Sequence, residues 1–510
     1  LLEMMGGEGS KKVNANAFLQ TLAKEGILQD DPRISNVVKL FAKESAAQEN
    51  YAPIDEENLD EIIKGHAVVK NALTQQFVIP DFKKFCQDIQ EIFEETAKNT
   101  AGKVADYIPQ LARVNPDQFA VSICTVDGQR FSLGDMHNSF CLQSTCKTIN
   151  YCMVLEELGE HKVHQHVGRE PSGRSFNELS LNDSGLPHNP LINAGAIMTS
   201  SLIRRDLDLA DRFDHVYNTW SRLCGNRKLS FNNAVYLSEK QTADRNFALA
   251  YFMREKNAFP DKTNLMETLE FYFQCCSIES CTHDVGVAAA TLANSGVNPL
   301  TEEKIFSDRT IQHCMSLMLS CGMYDFSGEF AFRIGLPAKS GVSGALMVIV
   351  PNVMGISIWS PRLDKHGNSV RGVEFCERLL EKYAFHNYDS LTRQTSKLNP
   401  RKKESETKVN RLINLIYAAS YGDLDEIRRL HAMGIDLGEA DYDGRTALHL
   451  AAAENQINVV KYLISAKVDS APVDRWGGTP LDDAKKSGNT ELVTYLEKQL
   501  KKKKVIAQKK

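Results

Sequence analysis

No stretch of this 510-residue chain approaches the ~20 consecutive apolar residues that a membrane-spanning helix requires. A dominant charge sign is also lacking. Lys and Arg total 60, Asp and Glu 65, for a net charge of −5, so no global field draws the chain toward nucleic acid or an anionic membrane. The 12 cysteines include no paired C-x-x-C spacings and stand among apolar residues, as in FYFQCCSIESC. That usage points to buried free thiols in a reducing compartment rather than a disulfide framework or a zinc site. The opening LLEMMGGEG has neither an initiator Met nor a charged-then-apolar leader, so a trimmed chain without its targeting segment is expected. What is present, 42% apolar and 25% charged residues, is the composition of a soluble globular protein, and the length allows two or three domains.

The last hundred residues repeat. RTALHLAAAENQINVVKYL aligns with GTPLDDAKKSGNTELVTYL, placing Thr446 and Thr479 33 residues apart. Ala418, Ala451 and Ala484 keep the period, as do Leu430, Leu463 and Leu496, so a degenerate first unit begins near Asn410. This period with T-A-L-H-x-A and T-P-L-x-x-A resembles ankyrin repeats, and three units are about the minimum that stacks into a stable core. The repeats are expected over 409–497. Before them TSKLNPRKKESETK reads as part of a charged linker (390–408), and after them KKKKVIAQKK belongs to a solvated basic tail (498–510).

Residues 1–75 read as helices, with apolar residues recurring at three and four and Asp30, Asp31 and Asp55 where N-caps belong. The paired-helix rhythm is EF-hand-like. It lacks an acidic loop with a central Gly and a terminal Glu, so no calcium is expected. Between them, 76–389 mixes patterns. FAVSICTVDGQRFSLGD alternates around Val126–Gln129, and GALMVIVPNVMGISIWSP turns at Pro351–Asn352, giving a hairpin near each end with helices between and GVEFCERLLEKYAF closing the region. An α+β domain around an antiparallel sheet follows.

Within it, FCLQSTCKTINY places Ser144 and Lys147 one helical turn apart, just after the first hairpin. A buried amine there could take the serine proton, and a helix N-terminus favours negative charge developing beside it. The Ser-x-x-Lys spacing alone is cheap, since Ser405/Lys408 repeats it in the linker. A second element, Lys339-Ser340-Gly341 ahead of VSGALMVIV, matches the K-S-G element of serine penicillin-binding proteins and β-lactamases.

Together, LQSTCK, LPHNPLINAGA, SEKQTADRN, CGMYDFSGEFAF and GLPAKSGVSG resemble the glutaminases of the serine-dependent β-lactamase-like superfamily over about residues 100–385. With its helical N-terminal region and ankyrin tail, the chain is similar to animal mitochondrial glutaminases. The resemblance implies a multidomain protein with a β-lactamase/penicillin-binding-protein-like catalytic domain that hydrolyses L-glutamine to glutamate and ammonia through a glutamyl-serine ester. It implies Ser144 as nucleophile, Lys147 as its base, Tyr272 as proton relay and Tyr324 as a second active-site tyrosine. The N–H groups of Ser144 and Val342 would form the oxyanion hole. Tyr107, Gln143, Asn193, Glu239 and Asn246 would bind substrate together with the catalytic set, an acid and amides suiting the amine and carboxylate of a free amino acid. No metal or organic cofactor is implied; inorganic phosphate is the expected activator, a homo-oligomer the expected state, and the mitochondrion the expected location. Related enzymes pair as dimers into phosphate-promoted tetramers through a loop that here is SGRSFNELSLNDSGLPHNP. It keeps Phe176 but carries Ser180 where a second aromatic is common and Glu178 where a base is.

Blander readings stand beside these. Tyr272 and Tyr324 could be packing aromatics and Glu239 an exposed helix residue. Cys141 and Cys146 flank Ser144, but inert buried thiols are the expected reading. His161, His164 and His166 in HKVHQH suggest a metal cluster without further ligands. The repeats could bind a protein partner or only dock on their own enzyme. The alternatives to a glutaminase are an ankyrin scaffold carrying an inactive amidase-like domain, or another serine acyl hydrolase.

Overall fold

The computed structural model describes residues 12–44, 53–55, 62, 64–173, 178–391, 397–402, 404–432 and 434–507. They fall into two units, the first ending essentially at Asp389 and the second holding the repeats.

In the first unit, β1 (Lys12–Asn14) and β2 (Pro53–Asp55) form a small antiparallel pair. Helices Ala15–Lys24, Ser35–Glu44 and Ala67–Thr74 bury Phe18, Leu19, Leu22, Phe41 and Val69 in a core of their own. Asp31 caps as expected, accepting from the Arg33 N–H. Asp55 pairs with Lys12 in the β1–β2 ladder, and the residues it would cap, 56–61, lie outside the described ones. Asp30 is turned outward to the Arg130 and Arg227 guanidiniums. Arg33, held by two bonds to Asp31, reaches the Asp127 carbonyl at 2.7 Å and the Gly128 carbonyl at 3.3 Å. The N-terminal region thereby grips the turn of the first hairpin, whose Gly128 has φ +86°.

That hairpin is β3 (Ala120–Thr125) and β4 (Arg130–Gly134). After β5 (Phe140–Cys141), β6 (Ser230–Phe231) and β7 (Ile278–Ser280) make a separate small sheet, β8 (Ala338–Ser340), β9 (Ala345–Val350) and β10 (Met354–Trp359) complete the main one. Its order is β4-β3-β10-β9-β8, antiparallel throughout. β9 is apolar at every position because both faces are covered. Ala345, Met347 and Ile349 join the core of the central helices, whereas Leu346, Val348 and Val350 join that of helices Phe82–Ala97 and Val370–Lys382. This is the period-two alternation of a strand buried on both sides. Lys339 and Ser340 of the K-S-G element, expected ahead of the strand, lie in the edge strand β8 itself, because the turn from Gly341 to Gly344 folds them back onto β9.

In the second unit the expected linker gives way to helix at Glu404, and the expected basic tail remains helical to Ala507, lysine being a good helix former. The T-x-L-H signature has a physical basis. Thr446 caps the helix Ala447–Ala453, and His449 closes the capping box while facing the Gly478 carbonyl of the next repeat at 3.3 Å. Ala418, Ala451, Ala484, Leu430, Leu463 and Leu496 all lie in one core.

Candidate active site

The peptide leading out of β5 cannot run straight into a helix. Leu142 donates to the Ile278 carbonyl, and Gln143 then takes φ +48°, a left-handed conformation that costs a non-glycine residue on the order of 1–3 kcal/mol. A single 3₁₀ turn, Gln143–Thr145, carries Ser144, and the α-helix begins only at Cys146. Ser144 is therefore presented from a strained corner rather than from within the expected helix, with Lys147 in the helix's first turn. The Ser144 hydroxyl lies within hydrogen-bonding reach of Tyr324, whose backbone is also left-handed at φ +53° and whose hydroxyl donates to the Ser340 carbonyl at 3.1 Å.

β8 closes the other side. Gly341 approaches so closely that a Cβ there would sit 3.1 Å from the Leu142 carbonyl, and one at Gly322 would overlap the Ala338 carbonyl. The Ser343 carbonyl is pinned by the Trp359 indole N–H at 2.9 Å. In this turn the Val342 N–H has no acceptor among the described residues.

Lys147 is fully buried, and burial pushes its amine down to about 8. Its Nζ donates to Asn193 Oδ1 at 2.7 Å, which also accepts from the Tyr272 hydroxyl at 3.4 Å, while Asn193 Nδ2 donates to Asn246 Oδ1 at 3.0 Å. Asn193 heads the helix Asn193–Leu202, and Asn246 lies in the first turn of Asp244–Glu255. Across the pocket, Glu239 Oε1 accepts from the Tyr107 hydroxyl at 2.5 Å and from Gln143 Nε2 at 3.0 Å. Burial raises the Glu239 carboxyl, and those two hydrogen bonds with the Lys147 charge oppose the rise. Tyr107 leaves much of its ring exposed at the pocket rim.

The candidate side chains fall into hydrogen-bonded groups: Lys147 and Tyr272 with Asn193 and, through it, Asn246; Glu239 with Tyr107 and Gln143; and Ser144 with Tyr324. Glu239 is buried rather than an exposed helix residue, and the Tyr272 and Tyr324 hydroxyls both meet polar partners, so neither ring serves packing alone. Two neighbours were not among the candidates. Lys339 is fully buried; its Nζ donates to the Ser340 carbonyl at 2.8 Å and stands 4.8 Å from the Tyr324 ring centre, and burial, then the Lys147 charge, holds its amine well below the usual range. The K-S-G motif contained the signal for it. Cys276, whose thiol lies within hydrogen-bonding reach of the Tyr272 hydroxyl, had none. The histidines of HKVHQH go elsewhere: His164 bonds Tyr151 and the Val167 carbonyl, and His166 bonds the Ala258 carbonyl.

A buried hydroxyl beside a buried amine of lowered basicity, with a carboxylate and two carboxamides opposite, suits covalent acyl transfer from a small zwitterion. Comparison with known proteins agrees with the geometry. Residues 102–388 match the glutaminase family, 415–506 ankyrin repeats in three copies, and 1–80 an EF-hand domain. The chain is 45% identical to the mitochondrial liver isoform of glutaminase from Rattus norvegicus over 96% of this chain and 82% of that protein. It is 46% identical to putative glutaminase 3 of Caenorhabditis elegans over 98% and 86%. Among solved structures, a probable glutaminase, ybaS, superposes with a TM-score of 0.56 at 35% identity, covering 58% of this chain and 96% of its own.

Proposed function

The chain belongs to the glutaminase family and hydrolyses L-glutamine to L-glutamate and ammonia, and from that premise we propose how its residues carry the reaction. Ser144 Oγ attacks the side-chain carboxamide carbon of glutamine, and neutral Lys147 takes the hydroxyl proton. The oxyanion that forms accepts from the Ser144 and Val342 N–H groups, preorganised donors of the kind whose removal costs about 3–4 kcal/mol. Tyr272, whose hydroxyl shares the Asn193 Oδ1 acceptor with the Lys147 amine, gives its proton to the departing nitrogen and takes the one that Lys147 received from Ser144, so ammonia leaves and a glutamyl-Ser144 ester remains. Water then cleaves the ester by the reverse proton path. Glu239 pairs with the substrate ammonium. Asn193, Asn246, Gln143 and Tyr107 hold the rest of the amino acid, and Tyr324 fixes the Ser144 rotamer. The amine supplies the base and the backbone the electrophile, so the scheme needs neither metal nor organic cofactor.

The observation that carries this reading is the Lys147 amine, fully buried and brought to about 8 one turn from Ser144. Incubation with glutamine, asparagine, an ester and a β-lactam, following ammonia and acid release, tests it. Ammonia from glutamine and an acyl adduct on Ser144 by mass spectrometry are expected; turnover without any Ser144 adduct under rapid quench would refute the covalent route.

Around this chemistry we place a homo-oligomer of dimers that can pair further, activation by inorganic phosphate, and residence in the mitochondrion, the last supported by the location in the rat relative's name. The ankyrin repeats offer a surface of the kind that binds protein partners.

A further inference from the structure

Two thiols meet beside the catalytic groups. Cys146 opens the serine helix between Ser144 and Lys147, and Cys276 ends the helix Leu265–Cys276 one turn beyond Tyr272. Their Sγ atoms are 3.9 Å apart, both residues are buried, and no disulfide joins them. Cys276 also faces the substrate pocket: its Sγ is within reach of the Tyr272 hydroxyl, and its ionisation would be felt by Tyr107, Glu239, Lys147 and Tyr324. On the proposed reading of the site, the pair therefore stands against the groups that hold glutamine.

We infer that Cys146 and Cys276 are an oxidative modification site opening on the substrate pocket, closing to a disulfide when a peroxide enters it. The Cys276 sulfur attacks one peroxide oxygen, breaking the O–O bond; Cys276 becomes a sulfenic acid and one water is released. The Cys146 sulfur then attacks the sulfenic sulfur, the S–O bond breaks, and a second water leaves as the S–S bond forms. The two thiols lose two hydrogens and two electrons, and hydrogen peroxide is reduced to two waters. The hydrogen bond with the neighbouring Cys146 thiol, and then burial, raise the Cys276 thiol, the Lys147 charge acting against them. The site therefore responds to sustained oxidant rather than to traces.

Closure has a mechanical consequence. An S–S bond is about 2.05 Å, so the sulfurs must approach by nearly 2 Å from their 3.9 Å separation. That draws the last turn of the Tyr272 helix onto the first turn of the serine helix and removes a thiol from the Tyr272 hydroxyl. A 1 Å misplacement of catalytic groups can cost about 100-fold in rate.

The full-length protein, reduced and then exposed to hydrogen peroxide with and without saturating glutamate, tests this. Expected are a loss of ammonia release of about tenfold or more, recovery with dithiothreitol, slower loss with glutamate present, and a cross-linked peptide joining Cys146 to Cys276. Cys276→Ala, or Cys276→Val if the smaller residue destabilises the fold, lacks the sulfur that peroxide attacks and should keep whatever activity it starts with through the same treatment. The inference is overturned if peroxide leaves wild-type turnover unchanged, if glutamate gives no protection, or if both variants are inactivated like wild type. Cys152 and Cys314 form a second buried pair, their thiols within hydrogen-bonding reach of each other, and the inference is equally overturned if the recovered cross-link joins those two instead. Peptide mapping reads the disulfide independently of turnover, so an error in the catalytic roles would not be mistaken for failure of the thiol pair.

Discussion

At the scale of single residues the site separates chemistry from stability. Ser144→Ala should lower turnover by at least about 10³-fold with little change in thermal midpoint, because the hydroxyl makes no contact that the core depends on; circular dichroism melts beside ammonia assays check both halves. Lys147→Met should cost ~10²–10⁴ in kcat yet raise the midpoint, since a fully buried amine is replaced by an apolar chain of similar length. The pH dependence has a definite sign. The folded state releases the Lys147 proton at about 8, below the ordinary 10.5, so between those values the unfolded chain binds more protons. The cost of burying the charge is complete below pH 8 and is relieved as pH rises toward 10.5. The advantage of Lys147→Met in midpoint should therefore shrink from pH 7 to pH 10, while wild-type kcat climbs through about pH 8; a constant gap in midpoint would contradict the assignment. Glu239→Gln should raise KM more than it lowers kcat, because the carboxylate answers a charge that substrate and transition state share. At this scale the sequence pointed to Ser144 and Lys147 through the Ser-x-x-Lys and K-S-G elements, whereas the two tyrosines were named only through the family resemblance. What was not legible were burial and backbone strain. Neither the left-handed φ of Gln143 and Tyr324 nor the closeness of Cys146 to Cys276 follows from local residue order, because both are imposed by strands that arrive from elsewhere in the chain.

Among elements, one close backbone approach bears directly on the site. Gly195 lies in the helix headed by Asn193, and a Cβ there would meet the Asn189 carbonyl at 1.8 Å. The loop that ends in LPHNP is thus pressed onto that helix, with Asn189 Oδ1 accepting from the Leu191 and Ile192 N–H groups just before it. Gly195→Ala should push loop and helix apart and carry Asn193 with them. Turnover is expected to fall by ~10²-fold from misplacement alone, while the secondary structure stays unchanged by circular dichroism; full activity would mean the loop yields without cost. The hairpins, the closing helix and the repeats were readable because their periodicity is local. The strand character of Lys339 and Ser340 was not: three residues carry no period, and only pairing with Leu346 to Val348 makes them a strand. One expected cap failed in the same way: Asp30 looks identical to Asp31 in sequence, but an arginine pair supplied from elsewhere claims it.

For the whole molecule, the assembly expected from the family resemblance would turn on the loop at 172–190. Phe176 lies outside the described residues. Ser180 donates its N–H to the Glu178 carbonyl within a tight local turn. A serine in place of an interface aromatic forfeits on the order of 2 kcal/mol per copy, and Glu178 repels the anion that a base would attract. A weak tetramer with shallow phosphate activation is expected, and Ser180→Phe should strengthen it; light scattering across a phosphate titration decides, and a tight wild-type tetramer without phosphate would refute the expectation. One feature of the main sheet also governs how the molecule comes into being. β3 pairs along its length with β10, Ala120 opposite Trp359 and Thr125 opposite Met354. At about 5–20 residues per second of synthesis, the first hairpin waits on the order of 10–50 s for its central partner, with a bare apolar edge and with Ser144 already made. During nascent-chain growth the nucleophile is therefore present long before the strand that holds Val342 opposite it, and activity should appear on ribosome-bound chains only after Trp359 has emerged.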